Sequence, residues 1–370
     1  MIIISTQAFP PDSGGKQTLM KGLAKAAAAH DSVMVLADRP RETGGIVDEN
    51  APYSRLQFGG PKFIRQRLKA AYIAKLVKEN AVSRIFCDSW RSAEHLPKNL
   101  GPSVVIYAHG NEYPLDTSKV KRLKAVFEKV DHIIAVSSQT AQRVGNAVGG
   151  ASTPKIHIVH NPVEPAAPIS AEDETFAEQL WPSDGIRLLS LCRLIDWKGV
   201  DMAITAVAEL RGKDVPAQLV IAGIGDDRPR LEARVNEHEL TDHVHFAGRV
   251  EGGRKSALFE SADIFMQPGR KIGDQCEGFG ITYIEAGLHG LPSIAGDAGG
   301  APDAVIDGKT GLVVDGTNQS VVTKALLRLI DEPALGHHMG QAAKAHGRTL
   351  LWDTQIKQIL DLTADEKSGI

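Results

Sequence analysis

Residues 276–286 read CEGFGITYIEA, and this short stretch places two carboxylates, Glu277 and Glu285, eight positions apart around a glycine-rich turn. Gly278 and Gly280 let backbone approach a ligand closely. A helix is predicted from about Ile281, with its first N–H groups unpaired at the positive end of the helix dipole. That is a phosphate cradle. Glu277 lies just before it and Glu285 about one turn inside it, so one ligand could meet both carboxylates while its phosphates meet the amides between them. A nucleotide-sugar has this layout, with a diphosphate in the middle and hydroxyl-rich rings at both ends. Nothing here sets two carboxyls across one glycosidic bond, as a hydrolase requires.

Working outward, short apolar runs at 2–4, 33–36, 84–87, 104–107, 132–136 and 156–159 alternate with helical patterns such as 18–29 and 70–78. Repeated β-α of this kind predicts an α/β fold with a parallel sheet covered by helices. After Asn161-Pro162 the pattern restarts, with runs at 187–191, 219–222, 243–247, 263–267, 292–295 and 312–314. Two similar halves follow, and 370 residues exceed what one hydrophobic core usually holds. The reading is a domain over 1–165, a second over 166–345, and a C-terminal helix over 346–370 crossing back to the first. That helix belongs to a helical stretch over 342–362 with Trp352 inside it. Ligands in open α/β sheets bind beyond the C-terminal strand ends, so a cleft between two such domains is expected.

Composition is that of a globular protein, 42% hydrophobic and 24% charged. No apolar run nears the ~20 residues of a membrane span, and MIIIS lacks the basic region of a signal peptide, so a cytoplasmic location is expected. Cys87, Cys192 and Cys276 are odd in number and lack C-x-x-C spacing, which reads as reduced packing residues. The net charge of −3 hides an asymmetry: residues 1–160 carry 22 Lys and Arg against 13 acids, and the remainder 20 against 32. Residues 62–78 hold six Lys or Arg and no acid, and a second cluster contains Lys119, Lys121, Arg122 and Lys124. The first reads as an amphipathic helix with Phe63, Leu68, Tyr72 and Leu76 apolar and Lys62, Arg65 and Lys69 close together. An anionic membrane surface is the candidate partner, and a solvated helix face the alternative. Nucleic acid is disfavoured by the slightly acidic total and by the lack of an aromatic-interleaved basic motif.

Several groups could converge on the expected cleft. The turn from Pro10 to Gly15 precedes a helix, and Gly14 and Gly15 would let backbone approach a diphosphate. Arg193 ends a strand and Lys198 follows in RLIDWKG, placing two cations on one loop. His109 lies at a C-terminal strand edge in YAHGNEY. Ala222 to Asp227, AGIGDD, starts like a dinucleotide fingerprint, but Arg228 stands where its third glycine belongs, which disfavours a nicotinamide enzyme. Asp226 and Asp227 read as solvated acids, and no D-x-D, Ser-His-Asp, H-E-x-x-H or P-loop motif occurs.

Gly14-Gly15, His109-Gly110, Arg193 with Lys198, and Glu277 with Glu285 together resemble the signature of retaining glycosyltransferase family 4, which has the GT-B fold of two Rossmann-like domains. The resemblance is strongest over 265–316, where the chain is most similar to bacterial mannosyltransferases of phosphatidylinositol mannosides. It implies that Arg193 and Lys198 bind the donor diphosphate, that Glu285 holds the ribose, and that Glu277 meets a hydroxyl of the transferred sugar. It further implies amide contacts from Phe279, Gly280, Ile281 and Thr282, a phosphate contact from Gly15, and a base pocket at 243–248 beside Arg249. His109 would orient the sugar and support positive charge at its ring oxygen. The implied activity is hexosyl transfer with retention, from GDP-mannose or a UDP-hexose to a lipid-linked or glycan acceptor, with no cofactor and no divalent metal, at the inner face of the cytoplasmic membrane. A nucleotide-sugar 2-epimerase and a non-catalytic nucleotide-sugar sensor are the rival readings.

Overall fold

The near-continuous apolar runs do form parallel strands, buried except at the sheet edges. The computed structural model describes residues 1–12, 14–39, 50–113, 117–148, 154–182 and 184–364; Ser13 of the turn before the first helix lies outside them. The chain divides into two units, Met1–Glu164 together with Leu351–Ile370, and Pro165–Leu350.

The first unit runs β1 (Ile2–Thr6), α1 (Gly15–Ala27), β2 (Val33–Asp38), β3 (Ser54–Phe58), α2 (Lys62–Glu79), β4 (Arg84–Cys87), α3 (Trp90–Ala93), β5 (Ser103–Ala108), α4 (Thr117–Phe127), β6 (His132–Ala135), α5 (Ser138–Val148) and β7 (Lys155–Ile158). The second runs α6 (Ala171–Glu178), β8 (Ile186–Leu191), a 3₁₀ turn (Asp196–Lys198), α7 (Val200–Arg211), β9 (Ala217–Ala222), α8 (Arg228–Glu237), β10 (Val244–Gly248), α9 (Gly252–Ser261), β11 (Ile264–Gln267), α10 (Ile281–Leu288), β12 (Ser293–Gly296), α11 (Ala301–Ala304), β13 (Gly311–Val314), α12 (Gln319–Asp331) and α13 (Pro333–Thr349). Finally α14 (Trp352–Leu362) belongs to the first unit.

Strand order is β3-β2-β1-β4-β5-β6-β7 in one sheet and β10-β9-β8-β11-β12-β13 in the other, parallel throughout. The order reverses between β1 and β4 in the first unit and between β8 and β11 in the second. Ligands of doubly wound sheets sit beyond the strand C-termini at such a reversal, so the loops after these four strands are where chemistry is to be sought.

The apolar runs do not mark β3, whose SRLQF is only partly buried at the sheet edge. An edge strand needs no continuous apolar run, because one side faces no further strand. The single helix expected over 342–362 is corrected. Leu351 is extended, its φ and ψ −68° and 148°, and the Trp352 N–H donates to the Val163 carbonyl at 3.2 Å. Trp352 therefore opens a new helix. Its indole lies over Gly22 of α1, where any Cβ would overlap it. Trp352, Ile356, Ile359 and Leu360 join the core with Leu19, Leu23 and Ala27. Burying four such side chains contributes on the order of 6–10 kcal/mol before entropic costs, an upper figure. Arg84 donates to the Leu360 and Thr363 carbonyls at 2.9 and 3.3 Å, a cation placed where a helix C-terminus favours one.

The basic-face reading of α2 is also corrected. Lys69 is 3% exposed, and its ammonium donates to the Asp38 carboxylate and the Thr6 carbonyl, both at 2.7 Å. Arg65 donates to the other Asp38 oxygen at 2.7 Å and to the Gly60 carbonyl. Both residues thus serve the ends of β1 and β2. The sequence reading failed because Lys69, one turn before Ile73 and beside Ala70, is on the buried side. Conversely Phe63, Ile64 and Leu68 are exposed, at 61, 42 and 53%. Lys62 and Arg67 are exposed beside them. No helix among the described residues is long and apolar enough to cross a membrane.

Candidate active site

In the second unit, two loops meet at the β8/β11 reversal. Past β8 the chain passes Arg193, which is exposed, and turns through Asp196–Lys198 into α7. Gly199, at φ 76°, is where the turn lies against the Pro268 carbonyl, an approach any side chain would block. Past β11, residues 268–280 lead to α10, which starts at Ile281 with Gly280 at φ 99° as its N-cap. No side chain caps this helix, so its first amides are available to an anion.

Glu277 joins the two loops. Its Oε2 accepts from the Lys198 ammonium at 2.5 Å and from the Gln267 amide Nε2 at 3.0 Å. Lys198 also stands 4.7 Å from the centre of the Trp197 ring. Gln267 is fully buried. Its Oε1 accepts from the Thr282 hydroxyl at 3.3 Å, and its backbone carbonyl accepts from the Tyr283 hydroxyl at 2.6 Å. Glu285, one turn into α10, is held by Lys255 of α9 at 2.7 Å.

Beneath the Lys198 loop lies a buried carboxylate that the sequence did not reveal. Asp201 receives Arg270 through both oxygens, at 2.9 and 2.7 Å, and Arg230 at 3.2 Å. Burial raises its pKa, but the Arg270 bond and charge, then those of Arg230, outweigh burial and leave it below the ordinary value. Arg270 N–H also donates to the Trp197 carbonyl at 2.9 Å, so the network ties both loops together. Asp227, expected to be solvated, is corrected: it pairs with Arg230 at 2.6 Å. Arg249 is exposed and paired with Glu251 at 2.7 Å. Phe279 is 1% exposed, so only its backbone could serve a ligand. Burial pushes the Cys192 thiol up to about 12, and all three cysteines are buried and outside any disulfide.

The first unit gathers its candidates at the β1/β4 reversal. Asp88, just past β4, accepts from the Thr6 hydroxyl and the Gln7 N–H, fixing the two strand ends together. His109, past β5, donates from Nε2 to the Asp88 carbonyl at 2.9 Å, since a carbonyl can only accept. That leaves Nδ1 as the bare nitrogen. Burial pulls this imidazole below its ordinary value, against the opposing field of Glu112, so it is neutral at pH 7. Glu112 accepts the His109 N–H at 2.8 Å and faces Lys16 at 3.9 Å. His109 and the start of α1 therefore share one neighbourhood. Gly14, at φ 140°, caps α1 without a side-chain bond, and among the described residues a Cβ at Gly15 would meet no atom within 4 Å beyond its chain neighbours and its own helix backbone.

Two doubly wound sheets, each with a glycine-started helix at its reversal and one with paired cations and carboxylates, define a nucleotide-sugar transferase scaffold. The chain belongs to glycosyltransferase family 4. Residues 13–167 match the model described as Glycosyltransferase Family 4, and 171–346 the one described as Glycosyl transferases group 1. Among its relatives is the GDP-mannose-dependent alpha-(1-6)-phosphatidylinositol monomannoside mannosyltransferase of Mycolicibacterium smegmatis, 29% identical over 363 residues, 93% of this chain and 92% of that protein. The Mycobacterium tuberculosis protein of the same description is 31% identical over 266 residues, 70% of this chain and 68% of the other. Among solved structures, Anabaena HepE in complex with UDP superposes with a TM-score of 0.76 at 18% identity, covering 98% of this chain and 99% of that one. Sucrose-phosphate synthase from Thermosynechococcus elongatus gives 0.76 at 20%, covering 98% and 97%. These likenesses establish the two-domain GT-B fold.

Proposed function

We propose that this chain transfers mannose from GDP-mannose, with retention of configuration, to a lipid-linked or glycan acceptor. The observation that carries this reading is the meeting of Lys198, Glu277 and the uncapped start of α10 at one sheet reversal, with Arg193 on the same loop as Lys198. The mannosyltransferase relatives supply the choice of donor. In this reading Arg193, Lys198 and the α10 amides take up the charge that grows on the leaving diphosphate, stabilisation by preorganised groups. The departing phosphate takes the acceptor's proton on the face that the acceptor hydroxyl attacks. Glu277 reads a sugar hydroxyl, Glu285 the ribose, and neutral His109 the sugar near its ring oxygen. Gly15 presents backbone to phosphate. With two cations and a helix start supplying positive charge, turnover needs no divalent ion. The exposed Phe63, Ile64 and Leu68, with Lys62 and Arg67, rest against an anionic lipid surface.

The test is titration of the metal-free protein with GDP, UDP, GDP-mannose and UDP-glucose, followed by transfer assays with and without chelator. A ligand at a hundred times its dissociation constant stabilises the fold by about 2.7 kcal/mol. Selective stabilisation by the guanosine pair and chelator-resistant transfer are expected. Selective stabilisation by the uridine pair moves the donor to a UDP-hexose. Conversion of donor without acceptor moves the activity to an epimerase, and binding without turnover to a sensor.

A further inference from the structure

We propose that Gln267 is a positioning residue that holds Glu277 in its sugar-reading orientation when Lys198 turns to the donor diphosphate. The inference rests on the reading of Glu277 as the sugar-binding carboxylate. Among the described residues, the two donors to the Glu277 carboxylate, Lys198 at 2.5 Å and Gln267 at 3.0 Å, reach the same oxygen, Oε2. Oε1 accepts from no donor among the described residues, and that is the atom left to a sugar hydroxyl. Lys198 cannot be the lasting anchor of this arrangement. It is the cation assigned to the diphosphate, and an ammonium attracted to two or more phosphate charges is drawn away from a single carboxylate.

Gln267 has no such second claim. It ends β11 inside the sheet, is fully buried, and its amide cannot flip without cost. The Thr282 hydroxyl donates to its Oε1 at 3.3 Å, which leaves Nε2 to face Glu277, and the Tyr283 hydroxyl pins its backbone carbonyl at 2.6 Å. Thr282 and Tyr283 stand in the first turn of α10, so the amide also couples the Glu277 carboxylate to the helix start proposed to bind phosphate. A buried polar side chain in an otherwise apolar strand, IFMQ, is costly unless its partners are supplied. Here they are supplied by the groups assigned to the donor.

Ligand-free crystal structures of K198M and K198M/Q267M test the anchor directly. In K198M, Glu277 is expected to stay within hydrogen-bond distance of Gln267, and in the double variant to leave that position. In steady state, Q267M is expected to lower kcat/KM for GDP-mannose by 10- to 100-fold, the scale of one hydrogen bond to a charged group. Its affinity for GDP, which carries no hexose, stays within twofold of wild type. Gln267→Asn keeps an amide one methylene too short to reach Glu277, and stands in with the same expectation if Q267M fails to fold. An unmoved Glu277 in the double variant overturns the proposal, as does a parallel loss of GDP and GDP-mannose affinity, or kcat/KM within threefold of wild type. Wild-type protein inert toward GDP-mannose would instead sink the donor assignment, and the ligand-free structures would still decide the role of Gln267.

Discussion

Replacing Lys69 by methionine keeps the length of a side chain that is 3% exposed and removes its charge. Two bonds of 2.7 Å go with it, one to Asp38 and one to the Thr6 carbonyl. Breaking a buried pair costs about 3–5 kcal/mol when the partner is left alone. Asp38 retains Arg65 at 2.7 Å, which offsets part of that, while the Thr6 carbonyl loses a charged donor. The expected loss is about 3 kcal/mol, confined to the first unit. Urea-dependent hydrogen exchange of peptides covering β1 and β2 measures it without interference from the second unit. The same variant should bind anionic vesicles as wild type does, since Lys69 does not reach the surface. F63D/L68D should show the converse, weakened vesicle binding and a stability within about 0.5 kcal/mol of wild type. The reasoning is refuted if K69M exchanges within 0.5 kcal/mol of wild type, or if it loses vesicle binding while its strands stay protected.

Gly22→Leu would drive a side chain into the Trp352 indole, so α14 should detach at a cost of about 3 kcal/mol or more, seen as limited proteolysis within 351–364; a resistant C-terminus would contradict the packing. Asp201 has a native pKa below its ordinary value, so its contribution is fully present above the unfolded value of about 3.9 and is lost as pH falls through the lower native one. D201N should therefore be less stable than wild type by about 2 kcal/mol at pH 7, with the gap closing below about pH 4; a gap constant down to pH 2.5 would exclude this linkage. Glu277→Ala should abolish transfer while the protein stays folded, and near-normal turnover would remove Glu277 from the site.

Every strand but β3, and the start of α10, were legible because a parallel sheet buried on both faces demands continuous apolar runs, and a ligand-facing helix start demands glycine; α1, expected from Thr18, starts at Gly15. Ile281 could be named as the first residue of α10 from EGFGI alone. What stayed hidden was partnership. RQRLKAAYI gives no sign that Lys69 turns inward to Asp38, 31 positions away, because a lysine has the same symbol buried or exposed. Asp201, Arg230 and Arg270 are equally silent, being brought together only where α7, α8 and the loop after β11 converge. Gln267 did carry a signal, a lone amide ending an apolar strand, but its meaning depends on Glu277 and Thr282 beside it. The break at Leu351 was missed because helical periodicity continues across it on either side.

The return of α14 to the first unit has a consequence for synthesis. Until residues 352–362 have left the ribosome, the face of α1 that carries Leu19, Leu23 and Ala27 lacks part of its cover. Pro165–Leu350, the whole of the second unit, must be made in that interval, which at about 5–20 residues per second takes roughly 10–40 s. The domain encoded later thus closes its core earlier. The domain that leads the chain waits with part of that apolar face uncovered.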